Sequence, residues 1–128
     1  MVRYFAGLAE KYPFVETVQT MDGQGAARIV REPVGVVAAI VPWNAPYMIM
    51  LQKIAPALLA GNTVVIKPSP FTPLSTLKLV EILRPVLPAG VLNAVSGGDE
   101  LGAWITASPI PRKISFTGST RVGALLMR

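Results

Sequence analysis

Asn44 sits inside Pro42-Trp43-Asn44-Ala45-Pro46, and a side-chain amide turned by such a frame can donate to an oxygen on which negative charge develops. An Asx-type turn is the commoner use of Asn in this setting. Lys67 closes the β-branched run Thr63-Val64-Val65-Ile66 and puts a cation where a nucleotide's ribose or phosphate would lie, although a lone exposed lysine usually serves only solubility. Phe116-Thr117-Gly118-Ser119-Thr120-Arg121-Val122-Gly123 combines a strand end, a glycine turn and a helix start, where unpaired amides and the positive end of a helix dipole can meet an anion. An ordinary turn capped by Ser or Thr has the same pattern. Neither this segment nor Ser96-Gly97-Gly98-Asp99-Glu100-Leu101-Gly102 fits the Gly-x-Gly-x-x-Gly fingerprint or a P-loop. Trp43 reads as a core residue or as the wall of a cofactor groove, and Lys53 as a surface residue of its helix. The 128 residues contain no Cys and no His, which removes thiol nucleophiles, disulfides, Cys-ligated metals and the imidazole base. A Ser or Thr hydroxyl without such a base is a poor nucleophile near neutral pH.

Alternating elements must position these residues. Strands are expected at Val36–Val41, Thr63–Lys67, Val91–Val95 and Arg112–Phe116, all rich in β-branched or apolar residues. Between them the pattern predicts helices at Tyr47–Ala60, Pro73–Leu87 and Asp99–Ala107, with a fourth from Ser119 to Arg128. Thr72 is placed to cap the second of these helices, Pro73 suits its first position and Gly90 follows its end, while Gly61-Asn62 stops the first. Upstream, residues 2–11 read as helical and Gln24–Glu32 as an exposed strand or arm. Strands apolar on both faces and alternating with helices imply a parallel sheet covered on both sides, the α/β, Rossmann-like doubly wound class, here expected to be incomplete at both ends. In such a sheet the ligand lies outside the carboxyl ends of the strands, so the loops at Pro42-Trp43-Asn44, Lys67-Pro68-Ser69-Pro70, Ser96-Gly97-Gly98 and Thr117-Gly118-Ser119-Thr120 are expected to converge on one edge.

Composition narrows the function classes. Hydrophobic residues make up 52% and charged ones 15%, the reverse of a disordered tail. Twelve Lys and Arg against seven Asp and Glu give +5, but the basic residues are scattered, which argues against nucleic acid as a partner. The apolar stretch Val34–Leu51 is long enough to attract a membrane reading, yet Pro42, Asn44 and Pro46 interrupt it. No membrane partner is expected, and a cytoplasmic location is the default.

The ordered segments together resemble the aldehyde dehydrogenase superfamily. They are Glu32-Pro33-Val34-Gly35-Val36-Val37, Pro42-Trp43-Asn44-Ala45-Pro46, Ala55 to Val65, Lys67-Pro68-Ser69, Thr72-Pro73-Leu74, Pro88 to Asn93 and Phe116-Thr117-Gly118-Ser119-Thr120. The resemblance implies a NAD(P)-binding domain of an enzyme that oxidises aldehydes to carboxylic acids, with NAD or NADP as cofactor and an aldehyde as substrate. It makes Asn44 the oxyanion donor, Pro42 and Trp43 the groove wall, and Lys67 the ligand of the adenosine ribose. Ser69 and Pro70 would border the ribose 2′ position, Gly98 and Val122 the adenine, Ser119 the pyrophosphate, and Thr117 and Gly118 the nicotinamide. Lys53 matches a lysine that often belongs to a polar network in the family. The nucleophilic Cys and the general-base Glu of the family fall beyond Arg128, so the expectation is a fragment: residues 1–32 as helix and arm, residues 33–128 as a partial NAD(P)-binding domain, and the catalytic domain absent. The full-length enzyme is expected to be a homo-oligomer. A non-catalytic dinucleotide-binding module and a functionless truncated product are the alternatives.

Overall fold

The computed structural model describes residues 1–127; the expected helix end at Arg128 lies outside the described residues. A short helix α1 (Val2–Leu8) leads into a hairpin of β1 (Val15–Gln19) and β2 (Ala26–Val30). The chain then alternates β3 (Val36–Ile40), α2 (Pro46–Leu59), β4 (Thr63–Lys67), α3 (Leu74–Leu83), β5 (Leu92–Ala94), α4 (Asp99–Ala107), β6 (Pro111–Phe116) and α5 (Thr120–Leu126).

The last four strands form one parallel sheet in the order β5-β4-β3-β6. From β3 the chain steps outward to β4 and β5, then returns past its start to add β6 on the other side of β3. Right-handed crossovers in opposite directions put their helices on opposite faces, so α2 and α3 share one face and α4 takes the other. Contacts agree: α2 packs on α3, β3 and β4, whereas α4 meets β3 and β6. The expected doubly wound topology is therefore present, with its reversal between β3 and β6.

The core lies on the α2 side. Alternation along the strands aims Val37, Ala39 and Val41 of β3 and its continuation, with Val64 and Ile66 of β4, at Met50 and Ile54 of α2. Asn62 locks this side: its amide nitrogen donates to the Ala57 carbonyl at 3.1 Å and its oxygen accepts from Gly35 N at 3.1 Å. The bond from Asn62 back to α2 depends on the turn at Gly61, where φ is 78°, a value glycine adopts without strain.

Of the two readings of Gln24–Glu32 the exposed strand is the one present, as β2, which pairs antiparallel with β1 from Val15↔Val30 to Gln19↔Ala26. Three sequence expectations need correction. The first helix stops at Leu8 rather than residue 11. Helix α3 ends at Leu83 instead of Leu87, since Pro85 cannot donate to the helical ladder. Thr72 does not cap α3, whose N-cap is Pro73 with no side-chain bond.

Candidate functional site

The carboxyl ends of β3, β4 and β6 open into a groove of about 740 Å³, a size that cofactor sites commonly have. It is lined from the β3 end by Pro42, Trp43 and Asn44, from the β4 end by Lys67, Ser69 and Pro70, and from the β6 end by Thr117, Gly118 and Ser119. Helix α4 adds Asp99, Gly102, Ala103 and Thr106, and α5 adds Arg121, Val122, Leu125 and Leu126. The groove sits where the strand order reverses, the place where open α/β sheets bind their ligands.

Of the candidate residues only Gly98 stands outside. It is the N-cap of α4, beside Asp99, and lines a separate cavity of about 510 Å³ with Ser96, Gly97 and Trp104. The expected convergence of four loops thus reduces to three loops plus the body of α4, because β5 is the far edge of the sheet, separated from the reversal by β4 and β3.

Each loop has a local cause. Between β3 and α2 the chain turns through Ala45 at φ 50° and ψ 45°, a left-handed conformation that disfavours a non-glycine residue by about 1–2 kcal/mol. Pro46 then starts α2 at its first turn. Asn44 is exposed, and among the described residues its side chain makes no hydrogen bond, so the Asx-turn alternative is not realised. Trp43 is 63% exposed, which removes the core alternative and leaves its ring on the groove wall.

Lys67 is not the exposed cation that the sequence suggests: it is 5% exposed. Its stem runs beside α4 at Gly102, where an added Cβ would lie 3.7 Å from Lys67 Cε. Nζ donates to the Pro68 carbonyl at 3.3 Å. Burial pushes its pKa below the usual lysine value, and the Asp99 carboxylate partly opposes that shift. An ammonium has three donors, so a ligand oxygen in the groove would complete a desolvated charge.

At the β6 end, Ser119 Oγ accepts from Val122 N at 3.3 Å, so the capping alternative is real. That cap uses the third amide of α5 and leaves the amides of Thr120 and Arg121 at the helix entrance. Gly118 has a packing reason of its own, since a Cβ there would overlap the Phe116 ring. Lys53 is also not a free surface lysine. Its Nζ donates to Ser115 Oγ at 3.2 Å, joining α2 to β6, and burial lowers its pKa.

Asp99, Gly102 and Arg121 were not singled out from sequence. Gly102 carried a signal, because an isolated glycine inside a helical pattern commonly marks a close packing approach.

A parallel sheet with one reversal, helices on both faces and a groove at that reversal defines a Rossmann-like domain. The chain belongs to the aldehyde dehydrogenase family, whose model matches residues 1–128. FUS7 of Gibberella fujikuroi is 51% identical over 118 residues, covering 92% of this chain and 25% of that protein. A long-chain-aldehyde dehydrogenase of Acinetobacter sp is 46% identical over 127 residues, covering 98% and 25%. The solved structure of a Mycobacterium tuberculosis aldehyde dehydrogenase complexed with NAD+ superposes with a TM-score of 0.92 at 47% identity, covering 98% of this chain and 26% of that one. The chain therefore spans about a quarter of the length of the relatives it matches. Among the described residues no helix is long and apolar enough to cross a membrane.

Proposed function

We propose that residues 33–128 are the NAD(P)-binding part of an enzyme that oxidises an aldehyde to a carboxylic acid, with residues 1–32 as an accessory helix and hairpin. The single observation that carries this reading is the groove at the β3/β6 reversal, which gathers Asn44, Lys67 and Ser119 from three separate loops. The donor set suits a dinucleotide. Lys67 offers unused ammonium hydrogens to ribose hydroxyls, the entrance of α5 offers amides to the pyrophosphate, and Val122 with Gly102 and Ala103 forms an apolar slot for the adenine. When bound, NAD(P) supplies the hydride acceptor.

The chain's own residues then bind and orient. Trp43 and Pro42 wall the nicotinamide end and help to exclude water, while the Asn44 amide donates to the aldehyde oxygen as negative charge develops there. Asn44 acts only after a nucleophile attacks, and these 128 residues contain no Cys. On this reading the thiolate and the base that activates water belong to the rest of the whole enzyme. That whole enzyme would be a cytoplasmic homo-oligomer.

NADP should be accepted at least as well as NAD. An NAD-selective site of this kind commonly sets an acid against the ribose 2′ position, whereas position 70 is an exposed Pro beside Ser69 and Lys67. Calorimetric titration with NADH and NADPH tests both statements. Binding of both, weakened about tenfold or more by Lys67→Met, is expected. Undetectable binding of either cofactor to the intact protein would overturn the reading, and clearly tighter NADH than NADPH binding would overturn the preference alone.

A further inference from the structure

Residues 42–44 have few anchors of their own. Pro42 has no amide hydrogen to donate, the Trp43 side chain is largely exposed, and the Asn44 amide has no partner among the described residues. Among the described residues one hydrogen bond reaches this stretch from another loop: Thr72 Oγ1 donates to the Trp43 carbonyl oxygen at 3.2 Å. Thr72 is itself held, because its backbone nitrogen donates to the Ser69 carbonyl at 3.2 Å. Ser69 is 9% exposed, and its hydroxyl accepts from Phe71 N at 3.3 Å. The β4–α3 loop is thus a self-tied platform with one hydroxyl extended toward the β3–α2 loop.

The bond acts on Asn44 through covalent geometry. The Trp43 carbonyl shares a planar peptide unit with the nitrogen and Cα of Asn44, so fixing that oxygen fixes the plane from which the Asn44 side chain departs. The next residue, Ala45, is in the left-handed region, and the turn is accordingly held from both sides. Thr72 is spared the capping task that its place before Pro73 suggests, and it does not line the groove.

The geometry points to Thr72 as a positioning residue for Asn44, a role that rests on Asn44 being the oxyanion donor. Its loss should lower turnover without weakening cofactor binding. The test uses the intact aldehyde-oxidising protein that contains this chain, with Thr72→Val, Thr72→Ser, Asn44→Ala and the Thr72→Val/Asn44→Ala pair. Thr72→Val should lower kcat about tenfold and leave the Kd for NADH within about twofold, because misplacing a catalytic group costs rate. Thr72→Ser, which keeps the hydroxyl, should retain most of the turnover. Asn44→Ala should lower kcat about a hundredfold, and adding Thr72→Val to it should change nothing further. Thr72→Val at wild-type turnover beside an impaired Asn44→Ala would overturn the positioning role alone, as would a tenfold loss that multiplies fully onto Asn44→Ala or a matching loss in NADH affinity. An Asn44→Ala protein of undiminished kcat would overturn the oxyanion assignment and the positioning role together.

Discussion

The two faces of the parallel sheet are built to different ends, and two adjacent residues mark the difference. Ile66 points into the packed side, fully buried with Met50, Ile54, Val37 and Val64. Lys67, one residue on, points to the other side and meets α4 at Gly102, next to the groove. Helices α4 and α5 contribute no buried residue of their own. One face is closed by apolar side chains and carries the stability, while the other is left partly open and carries polar groups. A strand's period of two lets one short segment serve both.

The comparison breaks if substitutions on the two faces have the same consequence. The largest effect is expected from Ile66→Ala, which should destabilise the protein by about 2–5 kcal/mol in a denaturant titration. Lys67→Met should not be destabilising, since it removes a desolvated charge, yet it should weaken cofactor binding by about tenfold or more. Equal stability losses for the two variants would contradict the division.

Gly118→Ala should cost about 1 kcal/mol. Its Cβ must displace the Phe116 ring, which lines the groove, so cofactor affinity should fall with it. A Gly118→Ala/Phe116→Leu protein should recover most of the stability in the same titration, and no recovery would place the strain elsewhere.

Two desolvated lysines, Lys53 of α2 and Lys67 of β4, bear on pH. Burial holds both below the ordinary lysine value, so between the lowered folded values and that ordinary value the unfolded chain binds more protons than the folded one. Stability should therefore gain from these groups as pH rises through that window. The gain should disappear in a Lys53→Met/Lys67→Met protein, measured as denaturation midpoints across the alkaline range.

The smallest effect is expected in the hairpin, which lies outside both faces. Every residue of β2 is exposed, and Arg31 fastens the base of the hairpin by pairing with Glu16 and donating to the Pro13 carbonyl at 2.7 Å. Exposed pairs contribute little, so Arg31→Ala should change stability by less than about 1 kcal/mol. A larger loss would show that the hairpin is integral to the folding unit.

What the sequence disclosed follows the same division. Thr63–Lys67 and Asp99–Ala107 coincide with β4 and α4, because runs of β-branched residues and a helix entered after Gly97-Gly98 report local preference. Strand β1 was missed although Asp22-Gly23 lies between two short alternating runs, because the connecting turn is longer than the two-residue loop that gives the clearest hairpin signal. The loop residues of the groove were legible through their motifs. The burial of Lys67, the bond from Lys53 to Ser115 and the exposure of Trp43 were not, since each depends on how elements distant in sequence pack. Thr72 is the clearest case: its neighbours suggest a cap, and tertiary structure turns its hydroxyl to another loop instead.

The central claim is that the groove at the β3/β6 reversal holds the dinucleotide. Hydrogen–deuterium exchange of the protein with and without saturating NADPH reads the location directly. Slowed exchange is predicted in segments 43–45, 67–72, 99–106 and 117–126, with residues 15–30 unchanged. Protection confined to the cavity of about 350 Å³ between α3 and β5, around Leu77 to Ala94, or the absence of protection at 117–126, would contradict the account.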